Sequence, residues 1–429
     1  MNDPNSPVAE VTWPPAEGAP PVTRRRGRPF ASTLSSLRHR DYRLLWFGTL
    51  FSSSGQWIQQ VSLGWLTYQL TGSAFLLGAV NGLRSLPLLL LGPFGGVAAD
   101  RMDPKKLMLS TQLFLMTVTA VFATIVVSGH AHLWNIILFA LLTGVGWAFN
   151  MPVRQSIVPH LVPPKDLMNA IALNSAGFNI TRIVGPSLAG LLIAGVGIGG
   201  NFYLQALAYV GVAAMIRQMN IPPIPRASRE VSPWRHLAEG ARYVWHHPTL
   251  RVQMSLALIP VVLALPYISL MPVFAKDVLH VGPAGFGVLS AAPGVGALIG
   301  TLTIASLGNV RRKGLVLFVA LIGLGASLIL FSESRSFPLS LALLVLVGGF
   351  QMTYMATNQT LLQMSMSDEF RGRAMGIYML NQGLLPLGSL FAGTLAGLTS
   401  APFAVSVMGG SVLLLTSLAF LTMPSMRQA

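Results

Sequence analysis

The sequence contains no cysteine and has few acidic residues, with 13 Asp and Glu against 28 Lys and Arg among 429 residues. Without cysteine there is no disulfide framework, no thiol nucleophile and no thiolate metal site. A Gly-x-x-x-x-Gly-Lys-Ser/Thr nucleotide-binding sequence is also missing, which argues against ATP drive within this chain. No His cluster, Ser/His/Asp set or carboxylate pair is placed for catalysis. We therefore expect neither an enzyme nor a protein with a metal or another cofactor.

Hydrophobic residues make up 52% of the chain and charged residues only 10%. The hydrophobic residues form runs of roughly 20, which are long enough to cross about 30 Å of hydrocarbon as a helix. The alternating ten-residue segments of a porin-like barrel are not seen. The pattern predicts an all-α membrane protein with twelve transmembrane helices near residues 44–69, 74–99, 106–128, 133–154, 166–195, 200–218, 251–275, 284–307, 314–332, 338–362, 373–398 and 402–423.

The net charge of +15 suggests nucleic acid, but the basic residues follow the apolar runs. They cluster in the loops of one side, and the loops of the other side contain only Lys276 and Arg335. Positive loops remain in the cytoplasm. We therefore expect a multi-pass inner-membrane protein with both termini cytoplasmic, in contact with lipid and with no nucleic-acid partner.

The chain divides into five regions by composition. Residues 1–36 are rich in Pro, Ser and Ala and predict a disordered, basic cytoplasmic tail rather than a signal peptide. Two six-helix bundles follow, at 37–219 and 251–424, on either side of a central loop at 220–250 with a short amphipathic helix. Residues 425–429 form a cytoplasmic tail.

The two bundles repeat each other in sequence. Leu77-Gly78 matches Phe286-Gly287 at an offset of 209 residues, and GPSLAG at 185–190 matches GSLFAG at 388–393 at an offset of 203. Because the matches keep their order, we expect the bundles to be pseudo-symmetric.

The loop after the second span carries an unusual density of small and charged residues. Its sequence, LGPFGGVAADRMDPKKL, fills positions 91–107. Gly95-Gly96 would let two helices approach closely. The charges that follow would form pairs at the membrane surface that break when the helices move.

Twelve helices as six plus six, a basic central loop and this Gly-x-x-x-Asp-Arg loop together resemble the major facilitator superfamily. Gly96, Asp100, Arg101 and Lys105 match the family's loop motif, whereas Asp103 and Pro104 replace its second Gly and its Arg. The resemblance implies that Asp100 caps the N-terminus of the eleventh helix and pairs with nearby arginines when the cytoplasmic side is shut. The candidates are Arg371 and Arg373 before that helix and Arg154 at the end of the fourth. The alternative is a fixed clamp between helices.

Gly185-Pro186 with Gly190 in the fifth span is similar to the antiporter motif of drug/proton exchangers, with Ala189 in place of one Gly. The stretches LRHRDYRLLW, EGARYVWHHPTLR and MSDEFRGRAMGIY resemble the branch of enterobactin exporters and macrolide effluxers. This resemblance implies secondary active export.

Two arginines are predicted near mid-bilayer, where charge is expensive. Arg84 lies about ten residues into the second span and Arg182 about 16 residues into the fifth, at about 1.5 Å per residue. No Asp or Glu lies deep in a span to neutralise them, so a bound anion is one candidate partner. The alternative is a structural role, in which each Arg bonds backbone carbonyls or reaches water.

Amide side chains are the next candidates for a substrate cavity. Helical spacing groups Asn174 with Arg182, and the remaining amides fall at comparable depths. They are Gln56, Gln60, Asn381 and Gln382. Amides in spans also bond neighbouring helices, which is the alternative for each.

Proton coupling usually needs an embedded carboxylate, and the spans contain none. Asp41 and Asp100 remain as proton-carrier candidates. We expect a monomeric transporter that exports a drug-like or siderophore-like small molecule with protons by alternating access. An uncoupled facilitator or importer of a polar or anionic molecule is the alternative, and a membrane sensor or scaffold without transport is a remote one.

Overall fold

The computed structural model describes residues 34–221, 233–307, 312–366 and 370–422. Over these ranges the chain is helical, and they contain no β-strand. Residues 1–33 of the predicted N-terminal tail, residues 222–232 of the central loop and the whole predicted C-terminal tail lie outside the described residues. The all-helical prediction is confirmed.

The first half begins with a short 3₁₀ helix at Ser35–Arg38 and continues as five helical segments. They are α1 (Arg40–Thr71), α2 (Ala74–Arg101), α3 (Pro104–Val127), α4 (Leu133–Leu161) and α5 (Pro164–Gln218). The last of these is interrupted at Gly197, whose φ of 74° suits a residue without a Cβ. Both of its ends lie beside the start of α1, since His39 contacts Asp166 and Asp41 contacts Asn220. The chain therefore folds back at Gly197 and crosses the bundle twice.

The second half follows α6 (Pro233–His246), the helix that the sequence predicts in the central loop. Its helices are α7 (Pro248–Leu263), α8 (Tyr267–Val273), α9 (Gly282–Leu307), α10 (Lys313–Glu333), α11 (Phe337–Ser365), α12 (Arg371–Gln382), α13 (Leu385–Leu398) and α14 (Ala401–Thr422). A π-helical turn at Phe274–Val278 continues α8. Pro266 lies between α7 and α8, and it has no backbone N–H to donate to the carbonyl four residues back.

Nine helices within the described ranges are long and apolar enough to cross a membrane. They are Ala74–Arg101, Pro104–Val127, Leu133–Leu161, Pro164–Gln218, Thr249–Val278, Gly282–Ser306, Lys313–Glu333, Phe337–Ser365 and Ala401–Thr422. Counting α1, the second arm of α5 and the α12–α13 segment as crossings brings the number to twelve. That count remains a prediction.

Helices pack mainly within their own half. In the first half α1 and α3 pack on α5, and α2 packs on α4; in the second half α9 and α10 pack on α11, and α10 packs on α14. Two main contacts join the halves, α5 with α9 and α2 with α13. Among the described residues the smaller apolar cores each lie on one side of this division, whereas the largest includes residues of both halves. The predicted boundaries at 219 and 251 stay a prediction.

The turn between α2 and α3 is built by Asp103. Its carboxylate accepts hydrogen bonds from the backbone N–H groups of Lys105 at 2.9 Å and Lys106 at 3.2 Å. Pro104 occupies the first turn, where its missing N–H costs nothing. The two departures from the family motif thus form a helix cap.

Two names are used for the ends of the bundle. The basic face carries the start of α1 and the α2–α3 turn, and it is the predicted cytoplasmic side. The far face carries the α1–α2 turn and the π-helical turn, and it is the predicted outer side.

Lys105→Ala is expected to destabilise the basic face by about 1 kcal/mol. Lys105 Nζ donates a hydrogen bond of 2.7 Å to the carbonyl of Met219, at the C-terminal end of α5. A cation there satisfies an unpaired carbonyl and interacts favourably with the helix dipole. Thermal unfolding in detergent checks this expectation. The control is exposed Lys106→Ala, and equal melting temperatures for both variants would contradict it.

Candidate functional site

A cavity lies between the two halves near the middle of the bundle. Helices α1, α2 and α5 supply one wall, and α8 and α9 supply the other. Its lining combines aromatic and aliphatic surface with a few polar groups: Trp57, Gln60, Val61, Gly64, Asn81, Arg182, Pro186, Ile268, Ser269, Met271, Pro272, Phe286, Ser290 and Pro293. This composition is typical of a small-molecule site.

Arg182 is the cation of this cavity. Within the described part of the chain its guanidinium has no hydrogen-bond or ion-pair partner. Two buried donors beside it also lack partners, the indole Nε1 of Trp57 and the hydroxyl of Tyr267. Tyr267 is close enough to Arg182 for the two to interact electrostatically. Since Trp and Arg can only donate, Trp57 and Arg182 give the cavity lining two donor groups without a described acceptor.

Arg84, the other predicted mid-bilayer cation, lies elsewhere. Its Nη2 donates to Gln60 Oε1 at 3.0 Å, and its charge interacts with buried Tyr209 inside the first half. Gln60 lines the cavity, whereas Arg84 does not. Arg84 therefore acts on the cavity through Gln60.

The remaining predicted amides are dispersed. Asn174 accepts a hydrogen bond of 3.3 Å from the Tyr42 hydroxyl toward the basic face, away from Arg182. Asn381 donates to the Met254 carbonyl at 3.3 Å within the second half. Gln56 is half-buried on α1 and is not among the cavity-lining residues. The side chain of Gln382 lies outside the described residues.

Glycines close the bundle near its far face. A Cβ on Gly78 of α2 would lie 2.9 Å from the Cα of Gly393 on α13, and a Cβ on Gly190 of α5 would lie 2.8 Å from the Cα of Gly287 on α9. Such contacts leave no room for a side chain. The sequence repeat relates Gly78 to Gly287 and Gly190 to Gly393, so the two crossings are equivalents of each other.

The antiporter-like motif lies at one of these crossings. Gly190 meets α9, Pro186 lines the cavity, and Gly185 packs on Trp57. The motif therefore connects the cavity wall with the closed far side.

Toward the basic face the halves separate. Gly383 still contacts Leu89 of α2, but Gly92 and Gly96 farther along that helix face open space. Helix α12 packs instead on α6 and α7 of its own half. The glycine crossings thus hold the halves together at the far face, whereas α2 has no such close contact at Gly92 and Gly96 near the basic face.

The predicted latch at Asp100 stays a prediction. Asp100 and Arg101 are exposed, and Asp100 forms no ion pair with any described residue. The side chains of Arg371 and Arg373 lie outside the described residues. Gly95, rather than Gly96, provides the close helix contact, because a Cβ there would collide with the carbonyl of Ala148.

Two further charged candidates lie apart from the cavity. Arg154 is 9% exposed on α4, and its Nε has no hydrogen-bond partner among the residues that the structure describes. Asp41 accepts a hydrogen bond of 3.0 Å from the backbone N–H of Asn220, so it ties the segment after α5 to the start of α1 at the basic face.

The sequence prediction missed a contact at the far face. The Tyr68 hydroxyl of α1 donates to the carboxylate of Asp277 in the π-helical turn, which joins the two halves. These residues are 209 apart, the offset that relates Gly78 to Gly287. The sequence repeat could have indicated this contact, because equivalent residues of the two halves meet only near the pseudo-twofold axis.

Several curated transporters are similar over most of this chain. The staphyloferrin A transporter of Staphylococcus aureus is 28% identical over 378 residues, covering 85% of this chain and 93% of that protein. The multidrug efflux pump Tap of Mycolicibacterium fortuitum is 28% identical over 364 residues, covering 82% and 88%. Macrolide efflux protein A of Streptococcus pyogenes is 22% identical over 337 residues, covering 78% and 83%.

Solved transporters share the fold. The nucleoside transporter NupG matches with a TM-score of 0.69 at 15% identity, over 90% of this chain and 99% of that structure. A bacterial homolog of the human lysosomal transporter Spinster, in an inward-facing and unoccupied conformation, matches with a TM-score of 0.69 at 16% identity, over 94% and 99%.

The family model described as transmembrane secretion effector matches residues 31–429. This match covers both halves, the cavity and both faces. The predicted resemblance is confirmed: the chain is a multi-pass membrane protein that belongs to the transmembrane secretion effector family of major facilitator transporters.

Proposed function

We propose that this protein exports an anionic, drug-like or siderophore-like small molecule across the inner membrane by alternating access, in exchange for protons. The observation that carries the proposal is the unpaired guanidinium of Arg182 in a cavity between the halves. The names of the curated relatives, which include siderophore, multidrug and macrolide transporters, support export of such compounds.

The chemistry of the cavity favours a ligand rich in acceptors. Arg182, the Trp57 indole and the Tyr267 hydroxyl can each donate a hydrogen bond, and none has a partner among the described residues. A buried donor left unpaired costs free energy, which a carboxylate, phenolate or carbonyl oxygen of the substrate would recover. The rings of Trp57 and Phe286 offer apolar surface for the rest of the molecule.

Close packing of the halves at the far face, and its absence along α2 near the basic face, fit the first step of export. With the basic face in the cytoplasm, the arrangement admits substrate from inside the cell and blocks the outer side at the glycine crossings. Rocking the halves would engage Asp100 at the basic face and open the far face. The transporter works as a monomer, since one chain supplies both cavity walls.

Substrate-triggered proton release from everted membrane vesicles tests this function. Vesicles with an acidic interior are challenged with catecholate siderophores, macrolides and organic cations, beside vesicles that lack the protein. We expect anionic compounds to dissipate the gradient only when the protein is present. Binding of a compound without proton movement would overturn the coupling and favour an uncoupled facilitator. Absence of both binding and transport across the panel would favour a non-transporting scaffold.

A further inference from the structure

We propose that Tyr68 and Asp277 form a proton-sensitive latch that holds the far face closed. Tyr68 lies in the last turn of α1 in the first half, and Asp277 lies in the π-helical turn of the second half. Their hydrogen bond must break before the halves can separate on this side. In one respect the proposal rests on the proposed function, namely that the far face is the outer one.

The local structure directs Asp277 across the interface. In the turn Phe274–Val278 the backbone bonds to the fifth residue back, as in the 2.8 Å bond from Leu279 N–H to the Phe274 carbonyl. Such turns interrupt the α-helical register and recur at functional sites. Here the wider turn ends the seventh membrane segment with its carboxylate against the Tyr68 hydroxyl of the other half.

Burial differs between the two partners. Tyr68 is 6% exposed, whereas Asp277 is exposed at the far face. The carboxylate is therefore accessible to protons from that side while the latch is closed. An ionised carboxylate accepts a stronger hydrogen bond than a protonated one. Acidification of the far face should weaken the latch.

The other charged groups around Asp277 form their own contacts, either within the second half or with the ring of Tyr68. Lys276 Nζ lies 5.3 Å from the centroid of that ring, a cation–π contact that reinforces the closed state. Arg335 donates to the carbonyls of Ser332 at 2.9 Å and Ser334 at 3.2 Å. The Nδ1 of His280 is bonded to the Lys276 carbonyl at 3.0 Å.

Position on the pseudo-twofold axis makes this contact effective. Residues close to this axis come equally from both halves. The rocking motion that opens the far face therefore moves such residues apart directly. The two glycine crossings flank the latch and supply close packing but no charge. Tyr68 and Asp277 thus give the closed far face a dependence on pH that packing alone does not.

Distance measurements between spin labels test the latch without requiring transport. Because the chain has no cysteine, introduced cysteines are labelled specifically. Leu70→Cys with Leu398→Cys reports on the far face, and Met102→Cys with Met364→Cys reports on the basic face; all four side chains are exposed. The protein is measured in detergent without substrate, so both of its faces are in one solution at one pH.

We expect Asp277→Asn to lengthen the far-face distance and shorten the basic-face distance. The ratio of far-open to far-closed molecules should rise about tenfold, the effect of weakening one charged hydrogen bond. Tyr68→Phe should act in the same direction, and the double variant should add little. Stepwise acidification should shift the unsubstituted protein toward the distances of Asp277→Asn but leave that variant itself nearly unchanged.

Glu333→Gln is the matched control. Glu333 is also an exposed far-face carboxylate, but it accepts its 3.3 Å hydrogen bond from Ser406 within the second half. It should leave both distances unchanged. Equal shifts in Glu333→Gln and Asp277→Asn, or pH-independent distances in the unsubstituted protein, would overturn the latch. Either result leaves the proposed export untouched, because no substrate or gradient is present.

Discussion

Arg182→Ala is expected to reduce transport of anionic substrates by about ten- to a hundredfold. This range corresponds to losing one hydrogen bond with a charged partner, at about 1.5–3 kcal/mol. The loss should appear in both substrate binding and vesicle transport, because the guanidinium lies in the cavity and has no other described partner. Neutral substrates should be transported nearly as well as by the unsubstituted protein.

The conservative variant separates charge from geometry. Arg182→Lys keeps a positive charge but loses the planar fork that binds a carboxylate through two parallel hydrogen bonds. It should fall between Arg182→Ala and the unsubstituted protein. Unchanged binding of an anionic substrate by Arg182→Ala would show that Arg182 has only a structural role.

Arg84→Ala can be compared with Arg182→Ala, because both arginines are predicted at the same membrane depth. It would remove the bond to Gln60 inside the first half, so we expect lower thermal stability and a smaller effect on substrate binding. The sequence predicts both arginines near mid-bilayer and does not distinguish between their roles. Depth follows from counting residues along a helix, whereas the partner of a guanidinium depends on how the helices rotate against each other.

Much of the fold was predictable because lipid restricts the choices. The positions of the helices follow from apolar runs, and the pairing of the two crossings follows from the repeat. The conformation did not follow, because open and closed states place the same residues in the same helices. Whether Asp100 is paired or exposed is a property of that state.

Single contacts were also hard to predict. Gly95 and Gly96 are adjacent small residues, yet only Gly95 meets Ala148, since neighbours on a helix point about 100° apart. Asp277 lies at the end of a membrane span, where a carboxylate is common and does not by itself indicate a function. Its importance became visible only when Tyr68 was found across the interface.

Gly78→Ala is expected to prevent full closure of the far face and to reduce transport at least tenfold. The added Cβ would collide with the carbonyl of Ser389 and lie 2.9 Å from the Cα of Gly393. Backbone atoms on both sides cannot move aside as a flexible side chain can, so α2 and α13 must separate. The far-face label pair should report a longer distance.

Gly92→Ala is the control on the same helix. Nothing lies within 4 Å of a Cβ at that position, so it tests the substitution without the collision. Replacing Gly by Ala in a helix interior stabilises it by roughly 0.5–1 kcal/mol, and Gly92→Ala should be as active as the unsubstituted protein. Equal activity of Gly78→Ala and Gly92→Ala would show that closure at this crossing is not required for transport.

The repeat extends this expectation to the second crossing. Gly287 is the equivalent of Gly78, and a Cβ there would lie 2.8 Å from the Cα of Gly190 and 2.6 Å from the carbonyl of Pro186. Gly287→Ala should therefore match Gly78→Ala in its effect on the far-face distance. Pro186 also lines the cavity, so only Gly287→Ala should in addition alter substrate binding. A difference of this kind would separate closing the far face from shaping the cavity, two tasks that the Gly185–Pro186–Gly190 motif performs together.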